Sequence, residues 1–352
     1  MERPSRIVVL YNTDFDAQEA SEARGDGGRA PSANIDVSSV AASARAIHDA
    51  LVANGYTSQL RGMHGTDVFE MLAKLRADRP DLVFNLCESM EGDARNEPTL
   101  AGLLDLFGIP YTGADLLALA SCLHKQRTKD ILIARGISTP PYRYLETADD
   151  PTLDALDYPW FLKLAHEDAS VGITEANLAR TPQALRDRTR EMLVQYKQPV
   201  LAERYVEGRE INVTLIGNGA DVKMLPLHEI DFSAMPKDRP RIVSYAAKWD
   251  ETHVDYVGTK PVPLRDASPK LVAAVEAVAR AAYSALGLRD YGRVDLRVDS
   301  QGTPWVIDVN PNCDISPDAG VARAAKVAGM SYPQLIEMIT SAAWKRVATR
   351  RR

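Results

Sequence analysis

The chain has 352 residues, of which 45% are hydrophobic and 26% are charged, and its formal net charge is −6. A chain of this length is expected to form two or three domains, each large enough to bury a core. The acidic balance argues against nucleic-acid binding, which requires a basic surface. Three cysteines give no disulfide framework, and no run approaches the ~20 apolar residues of a membrane span. We therefore expect a cytoplasmic protein without a membrane partner.

Strand and helix patterns alternate along the first third of the chain. They are expected in turn at residues 6–11, 38–54, 67–77, 81–86, 99–107 and 109–112. Apolar strands that alternate with helices are typical of a doubly wound α/β domain. We place this domain at residues 1–118.

The rest of the chain mixes helices and strands, and the strands of its last third are expected to pair in antiparallel fashion. A single helix is expected over 116–135, and a linker follows it. Further strands are expected at 160–164, 200–205, 210–217, 222–230, 290–298 and 303–310. Helices are expected at 181–195, 268–286 and 331–347. We divide this part into a small central domain, residues 119–206, and a C-terminal domain, residues 207–352.

The hairpin around the turn 299–302 carries the most informative side chains. The strand period of two places Arg293 and Asp295 on one face, and Asp308 and Asn310 on one face of the returning strand. Asp295 then lies diagonally opposite Asp308. Two carboxylates and an amide oxygen suit Mg²⁺, but a solvated strand face with an Arg293–Asp308 ion pair explains the same residues.

Two other segments favour nucleotide binding. Lys163 ends an apolar strand, and the turn 167–172 behind it could close over phosphates. The segment 200–210 joins the middle and last thirds of the chain, where backbone groups could pair with an adenine edge. Each signal is weak by itself, since a lysine at a strand end is ordinarily a surface residue.

These motifs resemble the ATP-grasp superfamily, in particular its D-alanine–D-alanine ligase branch. The resemblance extends over about residues 81–339 and is strongest in LAGLLDLFGIPYTG (100–113), GRVD (292–295) and DVNPN (308–312). It implies an ATP-grasp fold of α/β (α+β) class, with a doubly wound N-terminal domain, a small central α+β domain and a C-terminal antiparallel-sheet domain. It also implies an ADP-forming ligase that makes carbon–nitrogen bonds through an acyl phosphate. The implied cofactors are ATP and Mg²⁺, as two ions for which Mn²⁺ could substitute.

The resemblance further implies roles for individual residues. The nucleotide-binding positions are Lys125, Lys163, Ser170, Val171, Gly172, Glu203, Arg204, Tyr205, Val206 and Glu210. The magnesium ligands are Asp295, Asp308 and Asn310. Lys248 and Arg293 match the two cations that hold the transferred phosphoryl group and the developing negative charge. The segment 241–255, which carries Lys248, is expected to form a lid.

The positions that bind the amino-acid substrates depart from the ligase pattern. Asn34 stands where the pattern has glutamate, Trp249 where it has tyrosine, and Ala319 where it has serine. Asp314 replaces a glycine, and together with Asp318 it favours a cationic or amine-rich acceptor. The candidate substrate residues are Asn34, Asp36, Trp249, Asp314, Ser316 and Asp318.

Nucleotide and metal positions match the ligase pattern, whereas the positions that bind D-alanine do not. We therefore expect an ATP-dependent carboxylate–amine ligase whose small-molecule substrates are amino-acid-like but are not D-alanine. Four alternatives stay open. They are a D-alanine–D-alanine ligase with a pocket rebuilt around Asp36 and Ser316, an intramolecular ligase that closes a ring, a non-catalytic ATP-binding module, and a kinase that stops at the phosphorylated product. A homodimer is implied by the resemblance alone.

Overall fold

The computed structural model describes residues 3–13, 37–91, 93–167 and 170–350. Its first sheet has three parallel strands in the order β2-β1-β3. The strands are β1 (Arg6–Asn12), β2 (Thr57–Met63) and β3 (Leu82–Asn85). The helices of this region are α1 (Val37–Ala53), α2 (Val68–Asp78) and α3 (Glu97–Leu106).

The second sheet has four antiparallel strands in the order β4-β7-β5-β6. Two helices precede it, α4 (Leu116–Leu123) and α5 (Lys125–Ala134). The strands are β4 (Tyr142–Leu145), β5 (Trp160–Leu164), β6 (Leu178–Ala179) and β7 (Val200–Arg204). Helix α6 (Pro182–Tyr196) lies between β6 and β7 in the chain and packs on β5.

The third sheet is antiparallel and follows the order β11-β10-β8-β12-β13, with β9 paired to β8. Its strands are β8 (Arg209–Ile216), β9 (Lys223–Met224), β10 (His228–Asp231), β11 (Lys260–Pro263), β12 (Tyr291–Val298) and β13 (Pro304–Asn310). The helices are α7 (Tyr245–Trp249), α8 (Val254–Gly258), α9 (Pro269–Ala285), α10 (Gly320–Val327) and α11 (Tyr332–Arg350). None of the helices in the described ranges combines the length and apolarity needed to span a lipid bilayer.

Alternate side chains of β1 enter two different cores. Ile7 and Val9 pack in one core with α1 and α11, whereas Val8 and Leu10 pack in another with α2 and α3. This arrangement follows from the period of two in a strand that is covered on both faces. Helix α11 thus packs against the first sheet although it follows the third in the chain. The predicted domain boundaries at 118 and 206 stay predictions.

The predicted helix over 116–135 is wrong, because the structure breaks it into α4 and α5. The break lies at His124, whose backbone is extended (φ −86°, ψ 90°). The N–H of Lys125 donates to the carbonyl of Ala165 at 3.1 Å instead of continuing the first helix. The bend therefore starts α5 beside the end of β5, and both Lys125 and Lys163 line the same cleft.

The predicted strand over 222–230 is also two strands rather than one. Pro226 lies between β9 and β10, and proline has no N–H with which to continue a strand ladder. Strands β2, β4 and β11 were not expected from the sequence. Their residues are largely polar or contain proline, so their side chains show neither an apolar run nor a clear alternation.

Asp290 is fully buried where three parts of the chain meet. Its carboxylate accepts hydrogen bonds from Arg346 Nη2 (2.6 Å), the N–H of Gly113 (3.0 Å) and Asn218 Nδ2 (2.9 Å). The neighbouring Arg289 donates from Nε to the carbonyl of Gly113 at 2.7 Å. These bonds connect the end of the N-terminal region to the third sheet and to α11.

Arg346→Met is expected to lower the free energy of unfolding by about 3–5 kcal/mol, because it leaves a buried carboxylate without its cation. Denaturation in urea, followed by circular dichroism, measures the change. Lys345→Met is the matched control, since its exposed ammonium lies 3.9 Å from Asp221 in a surface pair worth less than about 1 kcal/mol. An equal loss in both variants would contradict a structural role for the Asp290 cluster.

Candidate active site

A cleft of about 1620 Å³ is lined by residues from all three sheets. Eighteen of the predicted site residues line it: Lys125, Lys163, Ser170, Val171, Glu203, Arg204, Tyr205, Val206, Glu210, Lys248, Trp249, Arg293, Asp295, Asp308, Asn310, Asp314, Ser316 and Asp318. Gly172 is not among the lining residues, and its carbonyl accepts a hydrogen bond from Asn177 Nδ2 at 3.0 Å. Asn34 and Asp36 lie outside the described residues.

The carboxylate of Asp295 is held by donors on three strands. Arg293 donates to it from Nε and Nη2, each at 2.8 Å. Asn212 Nδ2 lies 2.7 Å from Oδ1, and Asn310 Nδ2 lies 3.2 Å from Oδ2. Both oxygens are therefore fixed, and the guanidinium of Arg293 is positioned in turn by a bidentate ion pair.

The structure corrects two details of the predicted hairpin. Asp295 lies directly opposite Asp308, not diagonally. The two strands pair about Gln301 near the turn, and a β-bulge between Asp295 and Leu296 shifts the register by one further residue. Arg293 pairs with Asp295 on its own strand rather than with Asp308. Asn310 lies opposite Arg293 across the same ladder.

The residues predicted to bind Mg²⁺ offer the hard oxygen donors that this ion prefers. Burial raises the pKa of Asp308, but the positive charges of Lys125, Lys163, Lys248 and Arg293 outweigh it and lower the pKa to about 2. Asp308 is therefore ionised at neutral pH. In the described ranges, no group of three or more His, Cys, Asp and Glu residues is placed to hold a metal. Asp295, Asp308 and Asn310 fit a divalent ion only as two carboxylates and an amide.

Closely paired lysines and carboxylates from α5, β5, β7 and β13 lie in and beneath the cleft. Lys163 Nζ lies 2.7 Å from Glu203 Oε1 and donates to the carbonyl of Ile307 at 2.7 Å. Lys129 Nζ lies 2.6 Å from Glu203 Oε2, and Lys125 Nζ lies 3.4 Å from Asp308 Oδ1. Burial raises the pKa of Glu203, but Lys129 and Lys163 outweigh it and hold the pKa below its usual value.

Glu210 and Arg297 form a buried ion pair beside Tyr205. Arg297 Nη1 lies 3.0 Å from Glu210 Oε2, and its Nη2 donates to Tyr205 Oη at 3.2 Å. Burial raises the pKa of Glu210 despite the nearby cation. The same guanidinium donates to the carbonyl of Arg241 at 2.9 Å, which connects this pair to the start of the predicted lid.

The predicted lid contacts the end of the turn 167–172 and the residue after it. Ser170 Oγ donates to the carbonyl of Val243 at 3.1 Å, and the N–H of Tyr245 donates to the carbonyl of Ile173 at 2.9 Å. Helix α7 carries Lys248 and Trp249, and half of the Trp249 surface is exposed. The two segments therefore meet across one edge of the cleft.

The end of the cleft near α10 holds three of the predicted substrate residues, Asp314, Ser316 and Asp318. Asp314 Oδ1 accepts hydrogen bonds from the N–H and the Oγ of Ser316, at 2.8 and 2.6 Å. Ala319 is the N-cap of α10, where its methyl group cannot accept a hydrogen bond. Arg323 donates from Nη1 to the carbonyl of Asp318. This end therefore combines the acids Asp314 and Asp318 with the guanidinium of Arg323.

Sequence reasoning missed Lys129, Arg297 and Arg323. Lys129 lies one helical turn after Lys125 on α5, and this spacing could have indicated it. Arg297 lies two residues after Asp295, and strand alternation could have placed it on the same face. Arg323 gave no comparable signal, because its position depends on the path of the chain into α10.

Comparisons with known proteins agree with this architecture. A family model described as "D-ala D-ala ligase C-terminus" matches residues 131–341. The D-alanine–D-alanine ligase of Bordetella pertussis is 32% identical over 323 residues, which cover 91% of this chain and 94% of that protein. An uncharacterized protein of Sinorhizobium fredii is 30% identical, and the match covers 90% of this chain and 89% of that protein.

A solved structure shows the same fold. The D-alanine–D-alanine ligase from Bacillus anthracis has a TM-score of 0.74 and 23% identity, and the match covers 98% of this chain and 99% of that one. The predicted ATP-grasp fold is thus confirmed. Because the family model matches more than half of the chain and both relatives cover about nine tenths of it, the chain belongs to the D-alanine–D-alanine ligase family of ATP-grasp proteins, which are ADP-forming carbon–nitrogen ligases.

Proposed function

We propose that the chain is an ATP- and Mg²⁺-dependent carboxylate–amine ligase whose substrates are amino-acid-like molecules other than D-alanine. The contrast between the two ends of the cleft supports this proposal. The lysines, carboxylates and amides expected to hold nucleotide and metal line one part of it. At the other end, Ala319 and Asp314 differ from the residues that the ligase pattern uses for D-alanine, and so does Trp249 on helix α7 of the predicted lid. A protein that had lost catalysis would be expected to lose the first set as readily as the second.

The proposed reaction has two steps. A carboxylate oxygen of the first substrate attacks the γ-phosphorus of ATP, the bond to the bridging oxygen breaks, and ADP and an acyl phosphate form. The amine nitrogen of the second substrate then attacks the acyl carbon, loses a proton and displaces inorganic phosphate. When bound, Mg²⁺ supplies positive charge that offsets the repulsion between the phosphates and the incoming carboxylate.

Side chains of this protein would supply the remaining stabilisation. Lys125 and Lys163 line the nucleotide end of the cleft, where their ammonium groups could contact phosphate oxygens. The positive charges of Lys248 and Arg293 contribute to the lowered pKa of Asp308, which is one of the predicted metal ligands. Arg293 is held in place by Asp295 and could stabilise the oxyanion of the second step. The lid would keep water from the acyl phosphate.

A D-alanine–D-alanine ligase is the second candidate. It is favoured by the 32% identity to the Bordetella pertussis enzyme of that name. In that case Asp36 and Ser316 would take over substrate binding. Ser316 lines the cleft, although its hydroxyl already donates to Asp314.

Trapping with hydroxylamine separates the two candidates, because it converts an acyl phosphate into a hydroxamate without the natural amine. With ATP and Mg²⁺, we expect hydroxamate from an amino-acid-like carboxylate at a rate about tenfold or more above that from D-alanine, as altered pocket contacts typically give. A panel of amino acids and small carboxylic acids, with D-alanine included, is measured colorimetrically.

Asp308→Asn is expected to abolish the hydroxamate signal for every acid, since it removes a predicted metal ligand. Asp221→Asn is the matched control, because Asp221 is exposed and does not line the cleft. A strong D-alanine signal would establish the second candidate instead. Bound ATP without hydroxamate from any acid would favour a non-catalytic nucleotide-binding protein.

Asp318→Asn is expected to raise the KM of a cationic acceptor about three- to tenfold with little change in kcat, because it removes an exposed negative charge at the cleft. Steady-state rates of ADP release at varied acceptor concentration measure both constants. Arg323→Met is the opposing variant and is expected to lower the same KM. If Asp318→Asn leaves the KM unchanged and Arg323→Met raises it, the acceptor is anionic and this part of the proposal is wrong.

A further inference from the structure

Lys129 is a buried lysine that lies beneath the nucleotide end of the cleft. Only 3% of its surface is exposed, and it is not among the described residues that line the main cleft. It contacts a separate small cavity of about 10 Å³ that Lys125, Lys163 and Asp308 also line. Lys129 would therefore influence a ligand in the main cleft electrostatically, through its neighbouring side chains, rather than by direct contact.

The ammonium of Lys129 is held in one position. Its Nζ lies 2.6 Å from Glu203 Oε2 and donates to Thr139 Oγ1 at 2.8 Å. Thr139 Oγ1 donates in turn to the carbonyl of Val306 at 2.8 Å, so the threonine is anchored to β13. Burial lowers the pKa of Lys129 to about 8, with Glu203 acting in the opposite direction, so the group stays charged at neutral pH.

Glu203 is shared between two lysines of different elements. Lys163 of β5 occupies Oε1 at 2.7 Å, and Lys129 of α5 occupies Oε2. We call Lys125, Lys129, Lys163, Glu203 and Asp308 the lysine cluster. Its three ammonium groups and two carboxylates leave one net positive charge. Without Lys129 the cluster would be neutral, and Glu203 would be balanced by Lys163 alone.

We propose that Lys129 is a positioning residue that balances the negative charge of Glu203 from beneath the cleft, so that Glu203 does not offset the positive charge that Lys163 presents to the phosphates of a bound nucleotide. The inference rests on the nucleotide binding in the proposed function. It assigns no direct contact between Lys129 and the ligand. Because the contribution of Lys129 to nucleotide affinity is electrostatic, it should grow with the number of phosphates on the nucleotide.

Lys129→Met tests the inference, since methionine keeps the length of the side chain and removes its charge. We expect ATP affinity to fall on the order of tenfold, ADP affinity less and AMP affinity least. Isothermal titration calorimetry of the full chain with ATP, ADP and AMP measures the three affinities. Lys74→Met is the matched control, because Lys74 is exposed and pairs with Glu70 on the surface.

A charge-balanced double variant separates this role from a purely structural one. Lys129→Met combined with Glu203→Gln restores the net charge of the cluster, so the ratio of ATP to AMP affinity should return to within about threefold of the parent value. If Lys129→Met does not fold, the double variant is compared with the single variant Glu203→Gln instead. Adding Lys129→Met to Glu203→Gln should then lower the ratio of ATP to AMP affinity.

Equal losses for ATP, ADP and AMP in Lys129→Met would overturn the inference, because they would indicate a general distortion of the site. Failure of the double variant to restore the ratio would also overturn it. A parent chain that binds ATP but forms no hydroxamate contradicts the ligase proposal and leaves the inference on Lys129 intact. A parent chain that does not bind ATP contradicts both.

Discussion

The register of β12 against its neighbours determines which charges meet in the cleft. It places Asp295 beside Asn212 and Arg297 opposite Glu210 on β8. Because alternate side chains share one face, Arg293 joins them and pairs with Asp295. If β12 slipped by one residue, its charged side chains would point into the core. Burial of the apolar side chains on the opposite face of β12 therefore fixes the positions of Arg293, Asp295 and Arg297.

The cleft can be built only because distant parts of the chain are held together. Asp290 accepts hydrogen bonds from Gly113 at the end of the N-terminal region and from Arg346 of α11. Helix α11 returns to pack against β1 and its neighbours, so side chains of this helix complete the first core. The N-terminal residues that line the cleft, such as Asn12 and Asn85, are buried in the same region.

The two ends of the cleft differ in how their charges are arranged. At the nucleotide end, buried lysines and carboxylates alternate at short distances, and Glu203 contacts two ammonium groups at once. Buried charges of this kind are tolerated only when each has its partners. At the other end, Asp314 and Asp318 are exposed, and Arg323 lies beside them. The buried charges at the nucleotide end are suited to a polyanion of constant structure, whereas the exposed charges near α10 can differ between ligases with different substrates.

The sequence alone determined strands β1 and β3, the hairpin of β12 and β13, and the family motifs, because each depends on local periodicity or contiguous residues. Most of the predicted site residues line one cleft, although their roles stay predictions. Only the tertiary structure decided the break at His124, the directly opposed Asp295 and Asp308, and the contact of Lys129 with Glu203. These features depend on a bulge or on contacts between distant elements, and such contacts leave no periodic signal in the chain.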